Sequence, residues 1–332
     1  MKKFWTVVLI SLLLCSSFVF AEGAKETTPS GTTTVGVSKF LSHPALDAVE
    51  QGMQDYLSEE GYSVTYDWQN ANAEVSAAAQ IAQKFKSDKV DIAVGIATPN
   101  AQSLVNVMGE TPVVFSAITD PLDAGLVPSY EPGYTDKVAG VSDMNPVEAQ
   151  ISLLVELTGA KTIGNVYASG EANGVILMEM AKAACEKLGV EFVTAAVANT
   201  SEVMSAAQSI AKRIDAMYIA TDNTVISALP SIDDVTSKAG IALMSADPSG
   251  VDGLNFLVAM GFDYYKIGRA TGKIVGQIID GTEPGEIGTV FLSDPADFEL
   301  WLNVDAATEL GITIPQDLLD EAAVIYENGV KK

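Results

Sequence analysis

Two similar turns, "IATPN" and "IATDN", place polar side chains between a predicted strand and a predicted helix. Thr98 can cap the first helix, and Thr221, Asp222 and Asn223 can cap the second. The backbone N–H groups and the dipole at such helix starts attract carboxylate or hydroxyl oxygens. Capping alone accounts for either turn, but the occurrence of both favours a small ligand that carries a carboxylate or a hydroxyl group.

Three acidic residues occupy comparable turns: Asp120 in "ITDP", Asp247 in "SADP" and Glu171 in "ASGEANG". Acids before Pro or Gly are common in turns for structural reasons alone. Together they would bring several carboxylates near helix starts in one cleft. Such a cleft suits a small ligand that carries both an amine and an acid group.

Aromatic residues follow several predicted strands, at Phe40, Trp68, Tyr167, Phe262 and Tyr264. Each of these rings can belong either to a hydrophobic core or to the wall of a ligand cleft. Their positions leave both alternatives open.

Motifs for catalysis or cofactor binding do not occur in the sequence. It has no His/Cys/Asp cluster with metal-ligand spacing, no G-x-S-x-G, no P-loop and no G-x-G-x-x-G after the first strand. His43, the only histidine, precedes a predicted helix and is interpreted as a polar contact there. We therefore predict neither enzymatic activity nor a cofactor.

The elements that must position these residues alternate regularly. Short apolar runs of strand length, such as "DIAVGIA" and "TPVVFSAI", are each followed by an amphipathic segment of helix length. This alternation predicts an α/β fold with parallel sheets that are covered on both faces. The same order begins again near residue 162, and three short motifs recur after 128, 123 and 129 residues. Two tandem Rossmann-like halves are therefore expected.

Length and composition agree with two ordinary domains, because the 332 residues are 48% apolar and exceed what one core usually organises. Residues 1–21 have the features of an export signal, namely two lysines, an apolar run and small residues before the predicted cleavage site. Residues 22–32 have the composition of a flexible tether. Lipidation of Cys15 is an alternative reading of the signal. Cys185 is then the one cysteine of the mature chain, and we expect it to be a small buried residue.

The net charge of the protein argues against nucleic acid as a partner. Its formal net charge is −24, and removal of the signal with its two lysines would leave −26. Nucleic acid is a poor partner for such an acidic surface.

From about residue 33 to 328 the sequence resembles the periplasmic substrate-binding proteins of ABC transporters, in the tryptophan/tyrosine-type group. The resemblance rests on several long motifs in order: "SKFLSHPALDA", "GIATPNAQSL", "PVVFSAITDPLDAGLV", "GVSDMNPVEAQ", "ASGEANGV", "ATDNTVISAL" and "GFDYYKIGRATGK".

The resemblance implies a type I periplasmic-binding fold, in which two Rossmann-like lobes joined by hinge strands close on one ligand. Crossings between the lobes are expected near 140–146 and 261–265. The expected lobes are an N-terminal one of residues 33–141 plus 263–285, and a C-terminal one of residues 142–262 plus 286–330.

The resemblance also implies a function and a ligand set. The protein would be an extracytoplasmic, monomeric component of an importer, with a permease and an ATPase as partners and an aromatic amino acid as ligand. A sugar or nucleoside is the alternative ligand, and an α/β enzyme the less favoured class. The ligand's ammonium would meet Asp120, Asp222 or Asp247. The implied ligand-binding residues are Phe40, Thr98, Ala117, Thr119, Asp120, Ser169, Glu171, Asn173, Thr221, Asp222, Asn223, Asp247 and Tyr264.

Overall fold

The structure is a computed structural model that describes residues 31–332, and these form two lobes, each built on one β-sheet. The predicted export signal, Cys15 and most of the predicted tether lie outside the described residues. The first sheet consists of β1 Thr33–Lys39, β2 Val64–Asn70, β3 Ile92–Ile96, β4 Val113–Ile118, β5 Val138–Ser142 and β11 Thr289–Phe291. The second consists of β6 Thr162–Ala168, β7 Glu191–Val197, β8 Ala216–Ile219, β9 Ala242–Ser245, β10 Val258–Phe262, β12 Phe298–Asn303, β13 Val324–Glu327 and β14 Val330–Lys331.

Five strands in each sheet have the same spatial order. The first sheet reads β11-β5-β4-β3-β1-β2, and the second reads β14-β13-β12-β10-β9-β8-β6-β7. The run β5-β4-β3-β1-β2 therefore corresponds to β10-β9-β8-β6-β7, and every neighbouring pair in both runs is parallel. This repeat explains the recurring motifs, and it confirms the predicted α/β fold with two lobes, the type I periplasmic-binding fold.

Helices cover both sheets. The first lobe contains α1 Pro44–Glu59, α2 Val75–Asp88, α3 Thr98–Val107, α9 Tyr264–Ile279 and α10 Pro284–Ile287. The second lobe contains α4 Val147–Thr158, α5 Ala172–Leu188, α6 Val203–Ile210, α7 Asn223–Ile226, α8 Leu229–Ala239, α11 Val304–Glu309 and α12 Gln316–Glu321. Among residues 31–332, no helix combines the length and apolarity needed to span a membrane.

The sheets divide the hydrophobic core because successive side chains of a strand point to opposite faces. In β8, Ala216 and Tyr218 join one apolar cluster of the second lobe, whereas Met217 and Ile219 join the other. Cys185 is buried in the first of these clusters, as the sequence predicted.

The chain crosses between the lobes three times. It leaves the first sheet after β5 and returns after β10, so the first two crossings fall at residues 143–146 and at Asp263. The third crossing corrects the expected boundary at residue 286. Strand β11 pairs with β5 in the first sheet, and residues 286–291 therefore belong to the first lobe, with the crossing at 292–297. A pairing between residues about 150 apart leaves no local signal in the sequence.

Helix α9 returns to the first lobe and packs closely along α1. A Cβ atom at Gly52 would lie 2.1 Å from the Tyr265 carbonyl oxygen, and one at Gly268 would lie 2.2 Å from the Val49 carbonyl oxygen. The two backbones can approach this closely only because both positions lack a side chain. Gly52 and Gly268 thus allow α9, which follows the second crossing, to pack closely against α1 in the first lobe.

We predict that Gly268→Ala lowers the free energy of unfolding by about 1–3 kcal/mol, because the added methyl group forces α9 away from α1. This loss would exceed the gain of about 1 kcal/mol that alanine normally brings to a helix interior. Urea denaturation of the variant measures the effect. The exposed Lys273 of the same helix provides the control, and Lys273→Ala should change stability by less than about 0.5 kcal/mol. Equal stability of the two variants would contradict the prediction.

Candidate functional site

A cavity lies between the lobes at the ends of the parallel strands, where ligands bind in open α/β sheets. The non-atom space counted at this site is about 290 Å³, a figure that includes open solvent and is larger than the enclosed volume. The first lobe and its crossings contribute His43, Leu46, Ala117, Thr119, Asp143 and Tyr264. The second lobe contributes Asn173, Thr221, Asp222, Asn223, Ile226 and Asp247.

The backbone departs from regular strand geometry where β4 reaches the cavity. Ala117 has φ of 54°, in the left-handed region that a residue other than glycine seldom adopts. The register between β4 and β5 shifts between Ser116 and Ile118, on either side of this residue. The irregularity turns the end of the strand so that both Ala117 and Thr119 line the cavity.

Asp143 and Tyr264 join two of the crossings at the cavity. The Tyr264 hydroxyl donates a hydrogen bond of 2.8 Å to Asp143 Oδ2, and both side chains are buried. Asp143 Oδ1 has no hydrogen-bond partner among residues 31–332. Burial raises the pKa of the Asp143 carboxyl to about 6, although the bond from Tyr264 favours its ionised form. The second carboxylate oxygen is therefore free to bind a ligand donor.

Sequence reasoning missed Asp143 because "GVSDMNP" was interpreted only as a hinge. The signal was present, since Asp143 directly follows the buried strand β5, as Asp120 and Asp247 follow β4 and β9 at short distance. Asp143 is therefore a third carboxylate at the end of a parallel strand, and it belongs to the same group as Asp120 and Asp247.

Asp222 is buried and engaged by the backbone. Its Oδ2 accepts a 2.6 Å hydrogen bond from the Ala168 N–H, and its Oδ1 accepts one of 3.1 Å from the Val225 N–H, which caps α7. Burial, together with the nearby charge of Glu171, raises the pKa of the Asp222 carboxyl to about 8. Capping, the structural alternative for this turn, is thus realised at Asp222 itself.

Asp247 has a similar local role at the end of β9. Its Oδ1 accepts hydrogen bonds from the Ser249 N–H at 2.9 Å and from the Ser249 hydroxyl at 2.5 Å. Burial raises the pKa of the Asp247 carboxyl, and the neighbouring His43 opposes this shift. Its side chain also lines the cavity from the second lobe.

One polar contact joins the lobes across the cavity. His43 Nε2 of the first lobe lies 3.5 Å from Asn223 Oδ1 of the second. The amide of Asn145, on the first crossing, lies 3.5 Å from Thr221 Oγ1. His43 occupies the position before α1, but its side chain makes no capping hydrogen bond. His43 thus precedes its helix and makes a polar contact, as expected, but the contact is with the second lobe and the imidazole lines the cavity.

Five residues implied by the resemblance do not line the cavity. Phe40 is buried in the core of the first lobe, and Thr98 is the first residue of α3, where Ala97 occupies the capping position. Asp120 Oδ1 instead accepts from the Leu122 and Asp123 N–H groups at 2.9 and 3.1 Å and from the Tyr130 hydroxyl at 2.7 Å. These bonds direct the carboxylate into its own turn and away from the cleft.

Ser169 and Glu171 are the other two residues outside the cavity. Ser169 is exposed, and its hydroxyl lies 3.4 Å from the Val197 carbonyl oxygen. Glu171 is buried behind the cavity and accepts from Asn223 Nδ2 at 2.6 Å, the Thr224 N–H at 2.9 Å and the Thr224 hydroxyl at 2.6 Å. The remaining eight implied residues line the cavity together, and their contact with a ligand stays a prediction.

Within the described part of the chain, no group of three or more His, Cys, Asp or Glu side chains is placed to hold a metal ion. The cavity instead presents acceptors and hydroxyl groups suited to an organic solute. Its apolar walls come from Leu46, Ala117 and Ile226.

Comparison with known proteins places the chain in a family. The family model described as ABC transporter substrate binding protein matches residues 34–325. The chain belongs to this family. Its members are solute-binding proteins rather than enzymes, and they act outside the cytoplasm.

Named relatives point in the same direction. A "Tyrosine-binding protein" from Clostridioides difficile (strain R20291) is 32% identical over 292 residues, which cover 86% of this chain and 83% of that protein. The crystal structure of an ABC domain from Streptococcus pneumonia in complex with L-Trp is 34% identical, covering 89% of this chain and all of that chain, with a TM-score of 0.84.

A third relative is described as a ligand-free, open structure. It is a substrate-binding protein with adhesive properties from Clostridium difficile, 30% identical, covering 86% of this chain and 97% of that chain, with a TM-score of 0.65. By TM-score the present structure is thus more similar to the L-Trp complex than to the open form. The contact of His43 with Asn223 across the cavity agrees with a closed arrangement.

We predict that Asp222→Ala lowers the free energy of unfolding by about 1–3 kcal/mol, because the Ala168 and Val225 N–H groups lose their acceptor. Denaturant unfolding at pH 4 measures the loss, since the raised pKa of Asp222 has little effect on stability where its carboxyl is also partly protonated in the unfolded chain. Asp120→Ala is the comparison, since that carboxylate also closes a turn but is only half-buried, and its loss should be smaller. A larger loss at Asp120 would contradict this assignment.

Proposed function

We propose that this protein captures an aromatic amino acid, tryptophan, tyrosine or phenylalanine, between its lobes and delivers it to the permease and ATPase subunits of an ABC importer. The relatives named for tyrosine and crystallised with L-Trp support this ligand class. The observation that carries the proposal is a set of three buried polar atoms in the cavity without a partner among the described residues: His43 Nδ1, Asp143 Oδ1 and Asn173 Oδ1.

Asp143 is the acid we assign to the ligand's ammonium group. Asp222 and Asp247 already accept hydrogen bonds from the backbone at the start of α7 and at the turn after β9, whereas Asp143 Oδ1 is unengaged. None of the residues that line the cavity in the described chain is Lys or Arg. An ammonium group is therefore the favoured counter-charge for these carboxylates.

The other parts of an amino acid also find partners in the cavity. The hydroxyl groups of Thr119 and Thr221 can donate to the ligand's carboxylate, and the Asn173 amide oxygen can accept a second ammonium hydrogen. Leu46 and Ile226 offer apolar surface to an aromatic ring from opposite lobes. In the proposed ligand set, Asp143, Leu46 and Ile226 therefore take the place of the five implied residues that do not line the cavity, Phe40, Thr98, Asp120, Ser169 and Glu171.

Ligand binding would favour the closed arrangement because the ligand contacts both lobes at once. The equilibrium between the open and closed states shifts only as far as the difference between the ligand's affinities for these two states allows. The transporter would then distinguish the loaded protein by its closed shape.

A sugar or nucleoside is the less favoured ligand. Tyr264 is the one aromatic residue in the cavity lining of the described chain, and its hydroxyl is committed to Asp143. Stacking between several aromatic side chains, which sugar and base recognition often uses, has no counterpart in this cavity.

We also propose the cellular setting of the protein. Residues 1–21 serve as the export signal, and residues 22–32 form a tether. The alternative reading is a lipoprotein signal, in which lipidation of Cys15 anchors the protein to the membrane. The mature protein would act as a monomer. Its charge of −26 is unfavourable for binding nucleic acid.

We expect tryptophan, tyrosine or phenylalanine to raise the melting temperature of the mature protein in a screen of amino acids, sugars and nucleosides. At 100 times its dissociation constant a ligand adds about 2.7 kcal/mol to the stability of the folded state. Calorimetry of each hit should give one site per chain. A shift by sugars or nucleosides alone would reject the proposed ligand class.

We expect the affinity for the amino acid to fall as the pH decreases below about 6, because a protonated Asp143 must release its proton before it pairs with the ammonium group. The loss approaches tenfold per pH unit. Asp143→Asn should bind at least about tenfold more weakly at pH 7.5 and should lose this part of the pH dependence. Calorimetric titrations from pH 5 to 7.5 test both effects.

The control for Asp143→Asn is Asp123→Asn, which makes the same replacement of a carboxylate oxygen by an NH2 group at an exposed position of the first lobe. It should keep both the affinity and the pH profile of the original protein. Unchanged binding by Asp143→Asn would remove Asp143 from the site.

A further inference from the structure

A buried amide side chain in helix α4 contacts both the first crossing and the strand that leads to the second. Gln150 is fully buried, and its Nε2 donates to the Met260 carbonyl oxygen at 2.7 Å and to Asn145 Oδ1 at 3.0 Å. Met260 belongs to β10, which ends at Phe262 directly before the second crossing. Gln150 does not line the cavity, so it joins the two hinge segments from behind the site.

The Met260 carbonyl decides how the Gln150 amide is oriented. A carbonyl oxygen can only accept, so the amide nitrogen faces Met260 and Asn145, and the amide oxygen faces the core of the second lobe. There Gln150 Oε1 accepts a 2.7 Å hydrogen bond from the Tyr218 hydroxyl. Gln150 and Tyr218 are both inaccessible to solvent, so water cannot replace a partner that either of them loses.

The orientation passes from Gln150 to Asn145. Because Asn145 Oδ1 accepts from Gln150, its Nδ2 faces the cavity side. Asn145 Nδ2 donates to the Asp143 carbonyl oxygen at 3.1 Å and lies 3.5 Å from Thr221 Oγ1. A flipped Asn145 amide would place its oxygen against the Asp143 carbonyl oxygen and its nitrogen against the Gln150 nitrogen. Both of these contacts would be repulsive, and Gln150 therefore keeps Asn145 in the orientation that binds Asp143.

This contact completes the hold on the backbone of Asp143. The Asp143 N–H donates to the Ile118 carbonyl oxygen of β4 at 3.1 Å, and the Asp143 C=O accepts from Asn145. The first bond ties Asp143 to the first lobe, and the second ties it through Asn145 and Gln150 to the second lobe. Together with the bond from Tyr264 to Oδ2, they fix the direction in which the unengaged Oδ1 points.

We infer that Gln150 is a positioning residue for ligand binding: through Asn145 it holds the Asp143 carboxylate where the ammonium group of the ligand reaches it. The inference rests on the proposed function, in which Asp143 binds that group. Gln150 acts on the ligand only through these two residues, since it does not line the cavity itself.

Calorimetric titration of tryptophan, tyrosine and phenylalanine against Gln150→Met tests the inference, because methionine has a similar length but cannot donate to Asn145. We expect the variant to bind about tenfold more weakly than the original protein at pH 7.5, since a contact with a charged partner is misplaced. In the Asp143→Asn background the same substitution should have no further effect, because residues that act through one another are not additive. Asn145→Ala should repeat both results and serves where Gln150→Met does not fold.

Tyr218→Phe is the matched control, because it removes the hydrogen bond at the other end of the same amide, away from the crossings. It should lower the melting temperature but leave the affinity unchanged. Equal losses of affinity in Tyr218→Phe and Gln150→Met would reduce Gln150 to a structural role and overturn the inference. Additive losses of affinity in the double variant of Gln150 and Asp143 would overturn it as well.

Hydrogen exchange of the ligand-free proteins gives a second readout that does not depend on the ligand. The backbone amides of residues 143–147 should exchange faster in Gln150→Met than in the original protein, and Tyr218→Phe should leave them unchanged. Unchanged exchange in Gln150→Met overturns the inference. If none of the three amino acids binds the original protein, the proposed function fails, and the exchange measurement alone decides whether Gln150 holds Asp143.

Discussion

Closing the two lobes withdraws a group of polar side chains from water, and each of them must then find a hydrogen-bond partner or raise the free energy of the closed state. This requirement divides the acidic and amide residues of the cleft into two classes. Asp222, Asp247 and Glu171 are engaged by N–H and O–H groups of the protein. His43 Nδ1, Asp143 Oδ1 and Asn173 Oδ1 are not engaged within the described chain. The second class is available to a ligand, and so is Asp247 Oδ2, since both bonds to the Asp247 carboxylate end on Oδ1. The other members of the first class shape the turns around the cavity.

The three crossings between the lobes serve the same requirement. Asp143 lies on the first crossing and Tyr264 follows the second, so the hydrogen bond between them ties two hinge segments together at the cavity. The bond joins the two crossings at the cavity and does not connect the two sheets directly. The contact of α9 with α1 through Gly52 and Gly268 then anchors the hinge in the first lobe. Helix α9 thus connects the packed interior of the first lobe with the polar side chains of the cleft, because it carries both Gly268 and Tyr264.

The sequence predicted the fold well because strand and helix alternation is local and repeats in both halves. It also located much of the cavity, since Thr119, Thr221 and Asp247 follow strands of parallel sheets. The direction of a side chain was not predictable in the same way. Asp120 and Asp247 both stand before proline and both accept hydrogen bonds from their own turns, yet only Asp247 lines the cavity. Whether a carboxylate that caps its own turn also faces the cleft depends on backbone geometry that residue type does not determine.

Contacts between distant parts of the chain account for the remaining differences. His43 and Asn223 are 180 residues apart, and only the meeting of the lobes makes the imidazole part of the site. The same long-range contact gives the cleft its response to a ligand. Without a donor from outside, each unpaired buried atom costs the closed state about 1–3 kcal/mol. A solute that supplies these donors removes the cost only when the lobes are closed, so occupancy and shape become coupled. Under the proposed function, the unpaired atoms of the cleft would couple the closed lobe arrangement to the bound solute.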